Sequence, residues 1–138
     1  MYNKGTIASR YSNALFELSN ELNISSQISS DLRSCNEIIM NNNSISRIMF
    51  NYLTPSKLQI GMIQYLEKLG SFNQLTNRFL NVLARNRRCF MLPQIIKIYK
   101  DFFFNKLIFS KIINVLVNQQ YYKSVLFLNK RRQTLVTA

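Results

Sequence analysis

The chain has 138 residues, 47% of them hydrophobic, so it is long enough for one domain with a substantial core. Three glycines and two prolines leave little room for the turns of an all-β domain, and the absence of histidine excludes serine–histidine and cysteine–histidine catalysis in their usual forms. Net charge is +12 but unevenly placed: residues 1–77 carry six Lys/Arg and five acids, residues 78–138 twelve Lys/Arg and only Asp101. That asymmetry points to an acidic partner, an anionic membrane surface or nucleic acid. Abundant Asn, Ile and Lys, as in proteins from AT-rich genomes, offer coding bias as the alternative.

The first predicted helix runs from about Thr6 to Leu22. Ile7, Tyr11, Ala14, Leu15, Leu18 and Leu22 share a face at three-and-four spacing, which predicts the core side. Phe16 falls nearly opposite, among Ser9, Ser12 and Asn20, either simply exposed or a partner contact. In the second helix, from Ile24 or Ser25 to Met40, the residues Ile24, Ile28, Leu32, Cys35 and Ile39 form a strict core seam. After an Asn41–Asn43 break, Ser44 is placed to cap a short helix carrying Ile45, Ile48, Met49 and Tyr52.

Thr54-Pro55 predicts the next helix start, a capping hydroxyl followed by proline at the first helical position. That fourth helix turns Leu58, Met62, Tyr65, Leu66 and Leu69 inward and ends at Gly70, suited to a left-handed cap. The fifth, from about Asn77, has more apolar surface than one core needs. Leu75, Phe79, Val82 and Leu83 make one stripe, with Leu80 and Ala84 roughly a quarter turn further round at about 100° per residue. Either the helix is enclosed by its own bundle, or one stripe packs inward and the other awaits a helix from another chain. The sixth helix opens at Leu92-Pro93 and buries Ile95, Ile96, Tyr99, Phe102 and Phe103, with Ile98 and Phe104 turned elsewhere. Ser110–Val117 reads as a helix extension or, by its β-branched residues, slightly better as a strand, with a further short helix over 118–138.

The fold class is therefore all-α: a six-helix bundle over 1–106, then a short extension over 107–138. Cys35 and Cys89 stand far apart in no ligand-like spacing, so buried free thiols are expected and no metal site. No acid pair suggests general acid–base chemistry, no glycine loop would cradle phosphate, and no cofactor is expected, so a binding protein is favoured over an enzyme. No secretory h-region is visible at the N-terminus, and Phe102–Val117 is interrupted by Asn105, Lys106, Lys111 and Asn114, against a membrane span. The Lys130-Arg131-Arg132 run, close to Tyr121 and Tyr122, is either a solvated end or an anionic contact.

Two segments carry a family resemblance. TIASRYSNALFEL, Thr6–Leu18, resembles the opening helix of the ATP synthase delta subunit, the oligomycin-sensitivity-conferring protein of mitochondria, through Ala8, Arg10-Tyr11, Ala14 and Leu15-Phe16. FLNVLARNRRCFMLPQIIKIY, Phe79–Tyr99, resembles that family's fifth-helix signature, with Ala84, Asn86, Arg88 and the Leu92-Pro93 step in order. The resemblance covers roughly residues 6–117. It implies a non-catalytic stator subunit on the catalytic head, with an alpha-subunit N-terminal helix held between the first and fifth helices. It implies Ala8, Ser12, Phe16, Leu80 and Ala84 as groove residues, and Arg88 and Pro93 as determinants of the turn between the fifth and sixth helices. The family usually has glycine where Arg87 stands, so that helix end must close differently or under slight strain.

The family also continues into a stalk-binding domain with strands and a glycine-rich basic motif, whereas here no glycine follows Gly70. Either the chain is shortened, or Lys130, Arg131 and Arg132 have taken over contact with b-type stalk subunits. The implied location is the cytoplasmic face of a bacterial inner membrane, peripheral through the complex, with the mitochondrial matrix face as alternative. The competing function is a basic helical module for RNA or an anionic membrane, although nucleic acid is not the expected partner.

Overall fold

The computed structural model describes the backbone of residues 6–137 and the side chains of 6–120, 123 and 124. The order is α1 (Ile7–Glu21), α2 (Ser25–Met40), α3 (Asn43–Met49), α4 (Ser56–Leu69), α5 (Gln74–Arg85), a 3-10 turn (Cys89–Met91) and α6 (Leu92–Thr137). Among the described residues there is no strand, and the fold is all-α. The chain divides into two units, Met1–Phe103 and Phe104–Ala138. No helix among the described residues is long and apolar enough to cross a membrane.

Local chemistry sets most boundaries. Thr6 caps α1, its hydroxyl oxygen accepting from Ser9 N at 3.1 Å. Asn42, not Ser44, caps α3, its side-chain oxygen accepting from the amides of Ser44 and Ile45. Asn73 caps α5 in the same way through Leu75 N. The Thr54 hydroxyl is not a cap; it donates to Ile48 O at 2.9 Å and pins the α3–α4 loop. Pro55 stands immediately before Ser56, where its missing N–H leaves no unpaired donor.

Helix ends show how far residue type can be overridden. Gly70 is extended (φ −113°, ψ 147°), not left-handed. The ring of Phe72 folds over it, its tip 2.5 Å from where a Cβ would sit, so a larger residue there would require that ring to swing aside. The left-handed position falls instead on Arg87, at φ 57°. Arg88 N donates to Leu83 O at 2.8 Å and Arg87 N to Ala84 O at 3.1 Å, which is the Schellman closure normally given to glycine. Asn23, at φ 58°, closes α1 in the same manner, and asparagine tolerates that region better than arginine does.

The core of the first unit follows the α2 seam as expected. Ile28, Leu32, Cys35 and Ile39 are buried; Cys35 and Ile39 cluster with Ile63, Leu66, Leu80, Leu83, Leu92 and Ile95, and Ile28 and Leu32 with Leu15 and Tyr99. Ile98 joins this core, contrary to the sequence expectation, while Phe104 is exposed. On α4 the inward residues are Gln59, Ile63 and Leu66, and the expected core positions Leu58, Tyr65 and Leu69 face out. Gln59 is tolerated inside because its amide donates to Thr54 O at 2.9 Å and its oxygen faces Cys89 N. Asp31 is likewise satisfied: its Oδ2 accepts from Asn73 N and Thr76 Oγ1, both at 2.8 Å, placing a carboxylate at the N-terminus of α5.

In the second unit the strand expectation for Ser110–Val117 fails. α6 continues through it, and every residue from Phe104 to Gln120 is exposed. Strand propensity is a weak, context-dependent preference, and a helix satisfies its backbone without a second strand.

Two outcomes are expected. Replacing Arg87 by glycine relieves a left-handed side-chain penalty of about 1–2 kcal/mol, partly offset by the freer unfolded chain. Thermal melts should show a rise in Tm, and an unchanged or lower Tm would contradict the strain. Burial pushes the Cys35 thiol up to about 12, with Cys89 and Asp31 adding, and burial does the same to Cys89. Both folded values lie above the unfolded one, so their stabilising effect is complete below about pH 9 and is lost as pH rises towards 12. Tm should hold to pH 9 and then fall, with Ellman's reagent reacting only as the chain unfolds.

Candidate functional site

α1 is turned with its small-residue side inward. Ala8, Ser12 and Ser19 have no accessible surface, and Leu15 is buried beside them. A serine can be buried in a helix when its hydroxyl bonds the preceding turn. Ser12 Oγ donates to Ala8 O at 2.8 Å and lies 3.1 Å from Ile95 O on α6. Ser19 Oγ donates to Phe16 O and stands 3.0 Å from Tyr99 Oη, which itself donates to Ser25 O at 2.9 Å. Burial raises the Tyr99 phenol pKa, opposed in part by the Ser19 hydrogen bond.

Much of the apolar stripe of α1 is left outside. Ile7, Ala14, Leu18 and Leu22 are exposed, with Leu18 at 43% and Leu22 at 55%. α5 repeats the arrangement: Thr76, Leu80, Leu83 and Ala84 are buried, while Leu75 and Phe79 are half-buried and Val82 is 41% exposed. The two outer stripes adjoin. The rings of Tyr11 and Phe79 meet edge-on at 6.2 Å, and Asn86 Nδ2 donates to Tyr11 Oη at 2.9 Å. One turn further along α1, Leu15 shares a cluster with Leu75 and Phe79, so the helices run antiparallel. Around the Tyr11–Phe79 contact, α1 leaves Ile7, Ala14 and Leu18 exposed, and α5 leaves Val82 exposed with Leu75 half-buried.

The groove residues expected from the sequence fall mostly inside the bundle. Ala8, Ser12, Leu80 and Ala84 have 0% exposure and cannot line an open groove. Phe16 is half-buried, its ring 5.6 Å from both Tyr99 and Phe102. The physical reason is that an amphipathic pattern gives the direction of the apolar face but not whether that face meets the chain's own core or another molecule. The missed signal was the Ala8, Ser12, Ser19 spacing, small residues on one side that permit close helix approach. Arg88 lies at the turn after α5, its guanidinium 5.6 Å from the Tyr11 ring centroid and Nη1 3.4 Å from Tyr11 Oη. Pro93 stands in the first turn of α6. The side chains of Lys130, Arg131 and Arg132 lie outside the described residues. Among the described residues no group of His, Cys, Asp or Glu could hold a metal ion.

A family model described as ATP synthase delta (OSCP) subunit matches residues 7–120. The chain belongs to that family. Delta-family relatives, each named ATP synthase subunit delta, include one from Mesorhizobium japonicum, 31% identical over 95 residues, covering 69% of this chain and 51% of its own length. One from Paramagnetospirillum magneticum is 32% identical, covering 69% of this chain and 52% of its own length. One from Rickettsia prowazekii is 30% identical over 118 residues, covering 83% and 62%. The chain thus spans about half the length of the first two delta subunits. No solved structure matches the chain.

The inside and outside of the α1–α5 pair separate cleanly by mutation. Leu80→Ala should destabilise by about 2–5 kcal/mol as a fully enclosed truncation, and Leu18→Ala should stay within about 0.5–1 kcal/mol as an exposed one. Urea titration of both variants checks this; equal losses would contradict the assigned orientation.

Proposed function

We propose that this chain is a non-catalytic stator subunit of an F-type ATP synthase, holding the catalytic head against rotation by binding an alpha-subunit N-terminal helix on the outer face of α1 and α5. Membership in the delta family supports the complex, and the exposed double stripe carries the docking. A rotary head turns with its rotor unless it is tied to a fixed stalk, so the subunit's work is mechanical. It needs a contact that resists torque. Helix-in-groove binding suits this, since anchors spaced along one helix each bury apolar area and act together. Phe79 and Tyr11 supply a rigid aromatic floor; Ile7, Leu18 and Val82 supply aliphatic walls. The link to b-type stalk subunits belongs to the second unit and its basic run. On this reading the chain lies peripherally on the cytoplasmic side of a bacterial inner membrane, carried there by the complex.

Titrating an alpha-subunit N-terminal peptide into the full chain tests the docking. Leu18→Asp and Val82→Asp should each weaken binding by about tenfold or more, since loss of a central apolar anchor commonly exceeds 1 kcal/mol. Circular dichroism should remain that of the parent. Unchanged affinity in both variants would remove this face from the function.

A further inference from the structure

The charges bordering the α1–α5 face are sorted by end. On α1, Arg10, Glu17 and Glu21 lie along one flank of the Ile7–Ala14–Leu18 stripe, the flank away from Tyr11 and Leu15 and so away from α5, at about 100° per residue. On α5, Arg78 and Arg85 flank Leu75 and Val82 on the side away from the buried Leu83 and Thr76 by the same periodicity. All five are exposed. Because the helices are antiparallel, Arg10 falls at the same end as Arg85, where Arg88 also stands beside Tyr11. Among the described residues flanking the two stripes, Glu17 and Glu21 fall at the other end together with Arg78. Counting these described residues, one end of the face carries only cations and the other is net anionic.

We infer that this face selects the direction of its partner helix by charge: the partner's acidic end lies at Arg10, Arg85 and Arg88, and its basic end at Glu17 and Glu21. The inference rests on the docking reading above and adds polarity to it. Distance lets the two ends act separately. Arg10 and Glu21 are eleven positions apart on one helix, about 16 Å at 1.5 Å per residue, which exceeds a Debye length of about 10 Å at 0.1 M salt. Exposed ion pairs are individually weak. Several acting in the same sense give a directional preference on the order of tenfold, while the apolar stripe, which has no direction, supplies most of the affinity. A torque-bearing contact benefits, since a helix seated backwards would leave the rest of its chain at the wrong end.

The probe is a synthetic amphipathic helix of 15 residues, the length of α1, with leucines at helical spacing, glutamates at one end, lysines at the other and a photo-crosslinker at the glutamate end. With the full chain at low salt, crosslinks should map to the Ile7–Tyr11 and Val82–Arg88 segments. In the quadruple variant Arg10→Glu, Arg85→Glu, Glu17→Lys, Glu21→Lys they should move to the opposite end. At 0.5 M NaCl the directional bias should fade while binding persists. Crosslinks divided evenly between the ends at low salt, or an unmoved pattern in the variant, would overturn the directional claim and leave docking standing. Absence of binding at every salt concentration would overturn both.

Discussion

The hydroxyl of Ser12, lying between Ala8 O at 2.8 Å and Ile95 O at 3.1 Å, fixes which way the first helix faces. With the neighbouring Ala8 it allows α1 to approach α6 more closely than a leucine would. The Ser19–Tyr99–Ser25 hydrogen bonds hold the far end of the same side. Once that side is in, helical periodicity places Ile7, Ala14 and Leu18 outside. The exposed face of α1 is therefore a consequence of how the helix is seated, and two buried serines govern it more than the leucines it displays.

The bundle and the surface differ in how legible they were. The α2 seam was readable because, apart from Ile38 and Met40 at its C-terminal end, the residues around Ile28, Leu32, Cys35 and Ile39 are polar, leaving one main face to bury. α1, α4 and α5 each carry enough apolar surface for two contacts, and composition cannot rank the two. In all three part of the apolar surface stays outside: Leu58, Tyr65 and Leu69 on α4, Leu18 on α1 and Val82 on α5. The expected location between helices one and five came from the family resemblance; of the residues carried with it, Ala8, Ser12, Leu80 and Ala84 lie inside the bundle and Phe16 is half-buried.

Local rules failed where tertiary packing took over. Gly70 has the residue type of a left-handed cap, yet its backbone is extended and the Phe72 ring lies where a Cβ would project. Arg87 occupies the left-handed position instead, held by the amide bonds that close α5. Asp31 read as one of several scattered acids, because nothing in a linear pattern brings it to the start of a helix more than forty positions away. The β-branched run after Ser110 favoured a strand on propensity alone, which a continuous helix outweighed.

The central claim is the seating of α1, and single-cysteine labelling reads it most directly, since Cys35 and Cys89 are buried and free. Cysteines placed in turn at Ala14, Leu18, Ser12 and Leu15 in the full chain would be challenged with a maleimide under native conditions. The first two should label at rates close to those of the unfolded chain and the last two far more slowly. Rapid labelling at Ser12 and Leu15 with protection at Ala14 and Leu18 would show the helix seated the other way round and contradict the account.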